Sequence, residues 1–345
     1  MSATYKQAGV DIEAGELFAQ MIAKEVESNW PGVKIGGFAD GGHIPSEATT
    51  FKAGADGVGT KIDLARRLDG FLHVVGYDAV AMTAVDLYMD GTRPAAFYDY
   101  LVVDHLEPEK HMQLIWGMIA GCKDAMCYLA GGETAEHPGV GLPKGYIDIG
   151  GFCVGFPSPR LQLDPKRNIK PGMWLWGWPS GGLGSNGYSL ARRVLKLRDD
   201  RPSRIRERLE RSHPSVGRLA DALLTPTAIH IQNIEDARQA GVQFIGHAHI
   251  TGGGLLGNVP RILPSNCVAS IGLGSWRMPP IFGLILSQSK TSISLEEMEK
   301  TFNLGVQVVS VTDAGVTVPR CTQIGFIRER RQVDPQVEFR GKFEW

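Results

Sequence analysis

Cysteine is scarce in this sequence, and its five residues follow no regular spacing. They form no Cys-x-x-Cys pair, which excludes the disulfide framework of small secreted proteins and the common structural zinc sites. The most apolar stretch, 74–89, is interrupted by Asp78 and Asp86, which excludes a membrane-spanning helix there. The first residues, MSATYKQAGVD, lack a basic region followed by an apolar one, so we expect no signal peptide and a cytoplasmic protein with no membrane partner.

An excess of charge of one sign is absent as well. The 345 residues include 36 Lys and Arg and 37 Asp and Glu, which gives a formal net charge of −1. The chain therefore lacks the excess of positive charge that is typical of a nucleic-acid-binding protein. Glycine, by contrast, is abundant. It accounts for 43 of the 345 residues, clearly more than the usual share of about 7%, and it shows no collagen-like period. This abundance favours tight turns and loops whose backbone closely approaches a ligand.

The length and the alternation of helix and strand patterns indicate two domains. A polar, proline-containing stretch, PSPRLQLDPKRN, precedes Lys170-Pro171-Gly172 and is typical of a linker. We therefore predict an N-terminal domain over 1–168 and a C-terminal domain over 169–345. Ser294 and Glu297 have the spacing of a capping box and predict a helix start. The other predicted elements are helices over 11–28, 60–69, 75–90 and 107–124, and strands over 51–56, 96–104, 126–130, 146–156 and 242–250.

The loop Asp56-Gly57-Val58-Gly59-Thr60-Lys61 separates a predicted strand from a predicted helix. Its glycines allow backbone N–H groups to approach an anion, and a helix start attracts negative charge. The order Thr-Lys differs from that of a Walker A loop. A phosphate-binding loop and an ordinary tight turn are both compatible with these six residues.

Asp78 and Asp86 lie on one predicted helix, about 12 Å apart along its axis. This distance is too long for one shared ion, but both side chains can line one cleft. Asp56 meets Asp86 if the preceding strand packs on this helix, and two carboxylates there would suit Mg²⁺ that carries a nucleotide phosphate. The alternative is that these residues are ordinary surface aspartates.

Glu133 follows a predicted strand and a double glycine in GGETAE, residues 131–136. A carboxylate in this position can serve as a base or as a metal ligand. It can equally stabilise the positive end of a helix that starts there. The sequence leaves both interpretations open.

The segment 182–187 has the pattern Gly-x-Gly-x-x-Gly of dinucleotide-binding proteins. No second strand that ends in an acidic residue follows about 20 residues later, and this argues against a Rossmann domain.

His247 and His249 alternate on one predicted strand, so their side chains face the same side. No third ligand for a metal is evident, and two satisfied core histidines are the favoured interpretation. Thr251-Gly252-Gly253-Gly254 follows them and predicts a second anion cradle at the start of a helix.

Together, these segments resemble the phosphoribosylformylglycinamidine cyclo-ligase family, also called aminoimidazole ribonucleotide synthetases. Order and spacing agree from residue 5 to about residue 306, and GGETAE followed by TGGG is specific as a set. The segments that carry the resemblance are YKQAGVDIEAG (5–15), ADGVGTK (55–61), VGYDAVAM (75–82), VDL (85–87), AGGETAE (130–136), DIGGFCVG (148–155), SNGYSL (185–190), LTPT (224–227) and HITGGGLLGNVPR (249–261).

The resemblance implies an α+β fold of two α/β-type domains with mixed sheets, aminoimidazole ribonucleotide synthetase-like, and a homodimer whose N-terminal sheets join. It implies ATP-dependent ring closure of formylglycinamidine ribonucleotide in de novo purine biosynthesis. In this reaction ATP phosphorylates the formamide oxygen, and a nitrogen on the amidine side then displaces phosphate. ATP and Mg²⁺ are thus the expected cofactors.

The resemblance also implies roles for individual residues. Asp56 and Asp86 would bind Mg²⁺, and Asp78 would serve the Mg²⁺–ATP complex. Glu133, Asp56 and His249 are the candidate catalytic residues. The candidate nucleotide- and phosphate-binding residues are Gly36, Gly37, Gly57, Gly59, Thr60, Lys61 and Asp78 for ATP, and Thr251, Gly252 and Gly253 for the ribose phosphate of the substrate.

Four positions depart from the family's usual residues, and each loses a polar group. Ala55 replaces Thr, Val85 replaces Asn, Gly184 replaces His and Ala228 replaces Arg. These changes support an alternative, a catalytically weak or retuned homologue that still binds nucleotide. The short interval between Val306 and the next predicted strand also leaves little room for a helix that the family carries there.

Overall fold

The computed structural model describes residues 50–198, 201–288 and 293–343, together with single positions before residue 50. Gly36 and Gly37, and nearly all of the helix predicted over 11–28, lie outside the described residues. The chain divides into two compact units between Gln162 and Leu163, except that Arg201–Arg206 belong to the first unit. The predicted boundary between 168 and 169 stays a prediction. Within the described ranges, every helix is too short or not apolar enough to cross a bilayer.

A five-stranded mixed sheet with helices on one face forms the first unit. Its strands are β1 (Gly42–His43), β2 (Lys52–Gly57), β3 (Thr92–Val103), β4 (Tyr128–Glu136) and β5 (Ile147–Pro157), and its helices are α1 (Ile62–Ala65), α2 (Leu72–Met89) and α3 (Pro108–Asp124). The strand order is β1-β2-β5-β3-β4. Among its described strands, only β3 and β4 pair in parallel, so the mixed sheet expected from the resemblance is present.

Helix α2 is buried around most of its circumference, because the sheet covers one side and α3 covers the other. Two glycines allow the helix backbones to touch. A Cβ at Gly76 would lie 2.0 Å from the carbonyl oxygen of Leu114, and a Cβ at Gly117 would lie 1.9 Å from that of His73. The close packing of α2 and α3 therefore depends on the absence of side chains at these two positions.

The second face of this sheet carries exposed aromatic side chains. Along β3, Phe97 and Leu101 point inward and are buried, whereas Tyr98 and Tyr100 point outward and are 39% and 51% exposed. The exposed large aromatics of the neighbouring strands are Tyr128, Phe152 and Phe156. An apolar surface of this kind is typical of an interaction site.

The segment GGETAE is part of a strand, and the helix start considered for Glu133 is wrong. Strand β4 continues through it to Glu136. It pairs in parallel with β3 up to Val103 opposite Glu136, and this backbone pairing outweighs the low strand propensity of glycine and glutamate.

The second unit is built on a six-stranded sheet, whose strands in chain order are β6 (Trp174–Pro179), β9 (Gly246–His249), β10 (Cys267–Gly272), β11 (Val306–Thr312), β12 (Thr322–Glu329) and β13 (Val337–Arg340). Their order across the sheet is β13-β10-β12-β6-β11-β9. Ser294 accepts a hydrogen bond from the N–H of Glu297 at 3.1 Å, which confirms the helix start predicted from the capping-box spacing. No helix lies between β11 and β12 in the described chain, in agreement with the short interval. Strands β7 (Ser212–His213) and β8 (Gly217–Arg218) form a separate two-stranded sheet. The remaining helices in chain order are α4 (Pro165–Asn168), α5 (Tyr188–Val194), α6 (Pro202–Glu210), whose first residues belong to the first unit, α7 (Leu219–Leu223), α8 (Ile231–Gln239), α9 (Gly254–Asn258), α10 (Pro280–Gln288) and α11 (Leu295–Thr301).

Candidate functional site

The loop after β2 has the predicted strand–turn–helix arrangement. β2 ends at Gly57, and a single 3₁₀ turn, Gly59–Lys61, leads into α1. The carboxylate of Asp56 accepts a hydrogen bond from the N–H of Gly57 at 2.7 Å. Gly59, with φ of +59°, and Thr60 are exposed. Their backbone can therefore be approached by an anion such as a phosphate.

Lys61 and Asp78 form a buried ion pair. Lys61 Nζ lies 2.6 Å from Asp78 Oδ2, and both side chains are fully buried. Burial lowers the pKa of Lys61, and the charge and hydrogen bond of Asp78 oppose this shift. The pair ties the turn after β2 to helix α2. Because neither side chain reaches solvent, direct contact with a nucleotide requires a rearrangement, and the nucleotide-binding role of both residues stays a prediction.

Strand pairing places Asp56 in a row with a second carboxylate, that of Asp99. Gly151 on β5 lies opposite Asp56 on one side and opposite Asp99 of β3 on the other. Side chains of directly paired residues point to the same face of a sheet, so Asp56 and Asp99 share a face. Because strand β5 lies between their strands, the two residues are about 10 Å apart. A Cβ at Gly54, two residues before Asp56, would lie 3.9 Å from Leu87 of α2. This face is therefore the one that α2 covers.

Asp86 precedes Leu87 on α2 and is half-buried, as Asp56 is. The structure thus packs the helix that carries Asp86 on the strand that carries Asp56, as the sequence predicted. Among the described residues, no group of three or more His, Cys, Asp and Glu is arranged as a metal site. Two carboxylates nevertheless fit Mg²⁺ that arrives with a nucleotide, since this ion keeps several waters and phosphate oxygens as ligands.

Sequence reasoning missed Asp99. Burial raises the pKa of its carboxyl group, and a Cβ at Gly132 would lie 2.1 Å from its Oδ1. The second glycine of GGETAE is thus required by the close approach of this carboxylate. The sequence does contain a signal for it. Side chains along a strand alternate between the two faces, and this alternation places Asp99 on the same inward face as Phe97 and Leu101. A half-buried acid with a raised pKa is a candidate functional residue.

Glu133 lies on the opposite face of the sheet. It pairs with Tyr100 of β3, so its side chain shares the exposed aromatic face, whereas Asp99 faces α2. Within one chain, the structure therefore does not bring Glu133 together with Asp56 and Asp86. Its catalytic role stays a prediction.

The segment Thr251-Gly252-Gly253-Gly254 forms a tight loop between β9 and α9. Gly253 and Gly254 have φ of +97° and +59°, values that favour glycine. The side-chain nitrogen of Asn258 donates to the carbonyl oxygens of Gly252 at 3.2 Å and Gly254 at 2.8 Å. These bonds fix the loop from within and leave Gly252 and Gly253 half-exposed. The binding of an anion by this loop stays a prediction.

The two histidines of β9 differ in their surroundings. His247 contacts Ser310 Oγ through Nδ1 at 2.7 Å, and Arg238 donates to its Nε2 at 3.2 Å. Burial, together with the charge of Arg238, lowers its pKa to about 3. His247 is therefore a satisfied, neutral core histidine. His249 is also buried, and its Nε2 lies 3.1 Å from Nε2 of Gln307.

The Gly-x-Gly-x-x-Gly segment does not begin a Rossmann unit. It connects β6 to α5, but β6 pairs antiparallel with both β11 and β12, whereas a Rossmann unit has parallel strands. Gly184 has φ of +69°. Next to it, Ser185 Oγ and Thr227 Oγ1 are hydrogen-bonded at 2.8 Å. The argument against a Rossmann domain is confirmed.

Comparison with known proteins connects these features to one family. The N-terminal domain model of AIR synthase related proteins matches residues 40–156, and the C-terminal domain model matches residues 170–318. Phosphoribosylformylglycinamidine cyclo-ligase of Trichlorobacter lovleyi is 44% identical over 315 residues, which is 89% of this chain and 86% of the relative. The protein of the same name from Myxococcus xanthus is 41% identical over 318 residues, which is 90% of this chain and 89% of the relative.

Solved structures share the fold at much lower identity. A structure described as AaThiL complexed with AMPPCP and TMP has a TM-score of 0.60 and 16% identity, and the match covers 97% of this chain and 96% of that one. The hydrogenase maturation protein HypE of E. coli has a TM-score of 0.54 and 14% identity, with 84% and 81% covered. Because both domain models match and the identity exceeds 40% over about nine-tenths of the chain, this protein belongs to the phosphoribosylformylglycinamidine cyclo-ligase family of AIR synthases.

Proposed function

We propose that this ligase closes the imidazole ring of formylglycinamidine ribonucleotide at the expense of ATP, as a step of purine biosynthesis. The γ-phosphoryl group of ATP moves to the formamide oxygen, a substrate nitrogen attacks the same carbon and loses a proton, and phosphate leaves with the oxygen. An amide oxygen is a poor leaving group until it is phosphorylated, which explains the need for ATP. The main support for the proposal is the 44% identity with a phosphoribosylformylglycinamidine cyclo-ligase over 89% of the chain.

The proposed roles of individual residues are those that the resemblance to the family implies. Asp56 and Asp86 hold Mg²⁺, which neutralises the phosphate charges of ATP. The backbone of Gly57, Gly59 and Thr60 binds phosphate oxygens, together with Gly36 and Gly37, which lie outside the described residues. The cradle formed by Thr251, Gly252 and Gly253 binds the ribose phosphate. Asp56, Glu133 and His249 are the proposed catalytic residues.

The experiment that tests this function is ATP turnover with and without formylglycinamidine ribonucleotide. Production of ADP and of the ring product only when the substrate is present supports the cyclo-ligase. Binding of ATP without substrate-dependent turnover supports the alternative, a weak or retuned homologue. That alternative is favoured by Gly184, Ala228 and Val85, of which Val85 is fully buried in α2.

Replacement of Asp86 by Asn is expected to weaken the binding of Mg²⁺–ATP about tenfold, the effect of about 1.4 kcal/mol, because it removes a negative charge directed at a cation. Titration calorimetry with Mg²⁺–ATP measures the change, and circular dichroism checks the fold. Asp69→Asn is the matched control, since Asp69 is exposed and pairs with Arg206 on the surface. Equal affinity of the Asp86 variant and the native protein would remove Asp86 from the site.

We further propose a two-fold homodimer formed by the aromatic face of the first unit, defined by Tyr98, Tyr100, Tyr128, Phe152 and Phe156. An isologous interface buries the same patch on both subunits, and this patch would otherwise expose five large aromatic side chains to water. Such a dimer would also place Glu133, which shares this face, next to a second subunit.

Light scattering at low micromolar concentration is expected to give about twice the chain mass of 37.5 kDa. Phe152→Asp should yield the monomer, because a charge on this face cannot be buried without a partner. Trp116→Asp is the matched control, since Trp116 is exposed on α3, away from the aromatic face. A monomeric native protein would contradict the dimer.

We also propose that the protein is cytoplasmic. All five cysteines are free, and four of them are buried, as is usual in a reducing compartment.

A further inference from the structure

A β-bulge in strand β11 determines where the side chain of Gln307 points. Val306 pairs with Pro179 and Val308 pairs with Trp178. Because Trp178 and Pro179 are consecutive, Gln307 is the extra residue of the bulge and has no partner on β6. Bulges commonly occur beside active sites, where they redirect a side chain. Gln307 is 1% exposed, so the bulge directs an amide into the interior of the second unit.

The orientation of this amide follows from its two contacts. Its Nε2 lies 3.3 Å from the carbonyl oxygen of Ile250 and 3.1 Å from Nε2 of His249. A carbonyl oxygen can only accept a hydrogen bond, so the nitrogen of the amide must be the atom that faces it. Nε2 of His249 then accepts from Gln307. The amide therefore orients the ring of His249 and presents its own oxygen elsewhere.

The side-chain oxygen of Gln307 receives no hydrogen bond from any described residue. Buried polar atoms are almost always paired, and an unpaired one costs free energy. Asn303 is close, but its amide nitrogen already donates to Ser180 Oγ at 3.2 Å and to the carbonyl oxygen of Gly182 at 3.1 Å. Within the part of the chain that the structure describes, the donor for Gln307 Oε1 is therefore missing.

The unpaired oxygen is directed toward Gly184. A Cβ at Gly184 would lie 3.2 Å from Oε1 of Gln307, 3.5 Å from Nδ2 of Asn303 and 3.6 Å from Oγ1 of Thr227. Three polar atoms thus converge on a point that a side chain at residue 184 would occupy. The histidine expected there from the family resemblance and the glutamine at 307 would compete for this space.

We infer that Gln307 is a substrate-binding residue, whose side-chain oxygen accepts a hydrogen bond from an N–H or O–H group of the bound ribonucleotide beside Gly184. Because this oxygen is buried, the contact requires a rearrangement of the residues around Gly184 when the substrate binds. In this chain Gln307 of β11 supplies the polar side chain that a histidine at residue 184 would otherwise supply to the substrate site. The inference rests on the proposed function, because it identifies how the same site holds its substrate. It also accounts for the loss of the histidine at 184 without a loss of polarity in the site.

The test is the steady-state kinetics of Gln307→Met, which keeps the length of the side chain and removes its amide oxygen together with the nitrogen that contacts His249. KM for formylglycinamidine ribonucleotide is expected to rise about tenfold, the effect of one hydrogen bond, whereas KM for ATP stays unchanged. Gln323→Met, which alters an exposed glutamine of β12, is the matched control. An unchanged KM for the ribonucleotide, or an equal change in both KM values, overturns the inference.

A double-mutant cycle supplies the second measurement. Gly184→His is expected to lower kcat/KM at least tenfold, because it meets Gln307 and strains a residue with positive φ. Gln307→Ala in the same chain should recover part of this loss by making room, so that the two effects are not additive. Independent effects of the two substitutions overturn the inference. If Gly184→His does not fold, the KM values of Gln307→Met decide.

Failure of the inference can be distinguished from failure of the proposed function. A native protein that turns over the ribonucleotide, with KM unaffected by Gln307→Met, overturns only the role of Gln307 and leaves it as a structural residue. A native protein that neither turns over nor binds the ribonucleotide, by calorimetry, overturns both.

Discussion

Replacement of Lys61 by Met is expected to lower the free energy of unfolding by about 3–5 kcal/mol, the usual cost of removing one partner of a buried ion pair. Lys61 and Asp78 are both fully buried, with Nζ and Oδ2 2.6 Å apart, so the variant leaves a carboxylate in the interior without its counter-charge. Urea-induced unfolding measures the loss. A decrease below about 1 kcal/mol, the value typical of surface pairs, would show that the pair is not buried in solution.

Two variants serve as controls for this experiment. Lys52→Met removes one partner of a pair with Asp90 whose side chains are 24% and 30% exposed, and it should cost less than about 1 kcal/mol because water screens the charges. The double variant Lys61→Met/Asp78→Leu removes both charges. It should recover most of the stability, since replacing a buried pair by apolar residues is often nearly neutral.

The double variant also separates structure from nucleotide binding. The family resemblance implies that Lys61 and Asp78 serve ATP binding, whereas in the structure they contact each other. If the folded double variant binds Mg²⁺–ATP with native affinity, both residues serve the fold alone. A loss of affinity in a stable double variant would instead support a nucleotide-binding role that becomes accessible after rearrangement.

Elements with strong local signals were predictable from the sequence. The helix predicted over 107–124 is observed at Pro108–Asp124, because its apolar spacing and the proline at its start act locally. The capping box at Ser294 is another local signal, and its hydrogen bond is present. The turn after β2 and the loop after β9 were predictable for the same reason, since their glycines relieve local steric limits.

Features that depend on distant partners were not predictable. GGETAE has a low strand propensity, and it is a strand because β3 provides a parallel edge to pair with. The ion pair of Lys61 and Asp78 depends on how α2 packs against the turn after β2. The bulge at Gln307 depends on the register between β6 and β11, which no pattern within either strand specifies. In each case the deciding contact joins segments that are separate in the sequence.

Gly117→Ala is expected to lower the free energy of unfolding by about 3 kcal/mol, the upper end of the usual cost of overpacking. A Cβ at this position would lie 1.9 Å from the carbonyl oxygen of His73 and 2.8 Å from the backbone nitrogen of Tyr77. Backbone atoms cannot turn away as the end of a flexible side chain can, so α2 and α3 must move apart. That movement would also disturb the sheet face on which Asp56 and Asp99 lie, because α2 packs there.

A graded series makes this prediction specific. Gly121→Ala, one turn later on α3, would place a Cβ 3.0 Å from Cβ of Val80 and should cost less, because a small shift of the helix relieves it. Gly257→Ala in α9 meets nothing within 4 Å and should be neutral or slightly stabilising, because alanine favours a helix more than glycine does. Urea unfolding of the three variants should therefore rank their losses in the order of these distances. Equal losses at Gly117 and Gly257 would mean that the backbones of α2 and α3 do not touch in solution, and the close packing of these two helices would be wrong.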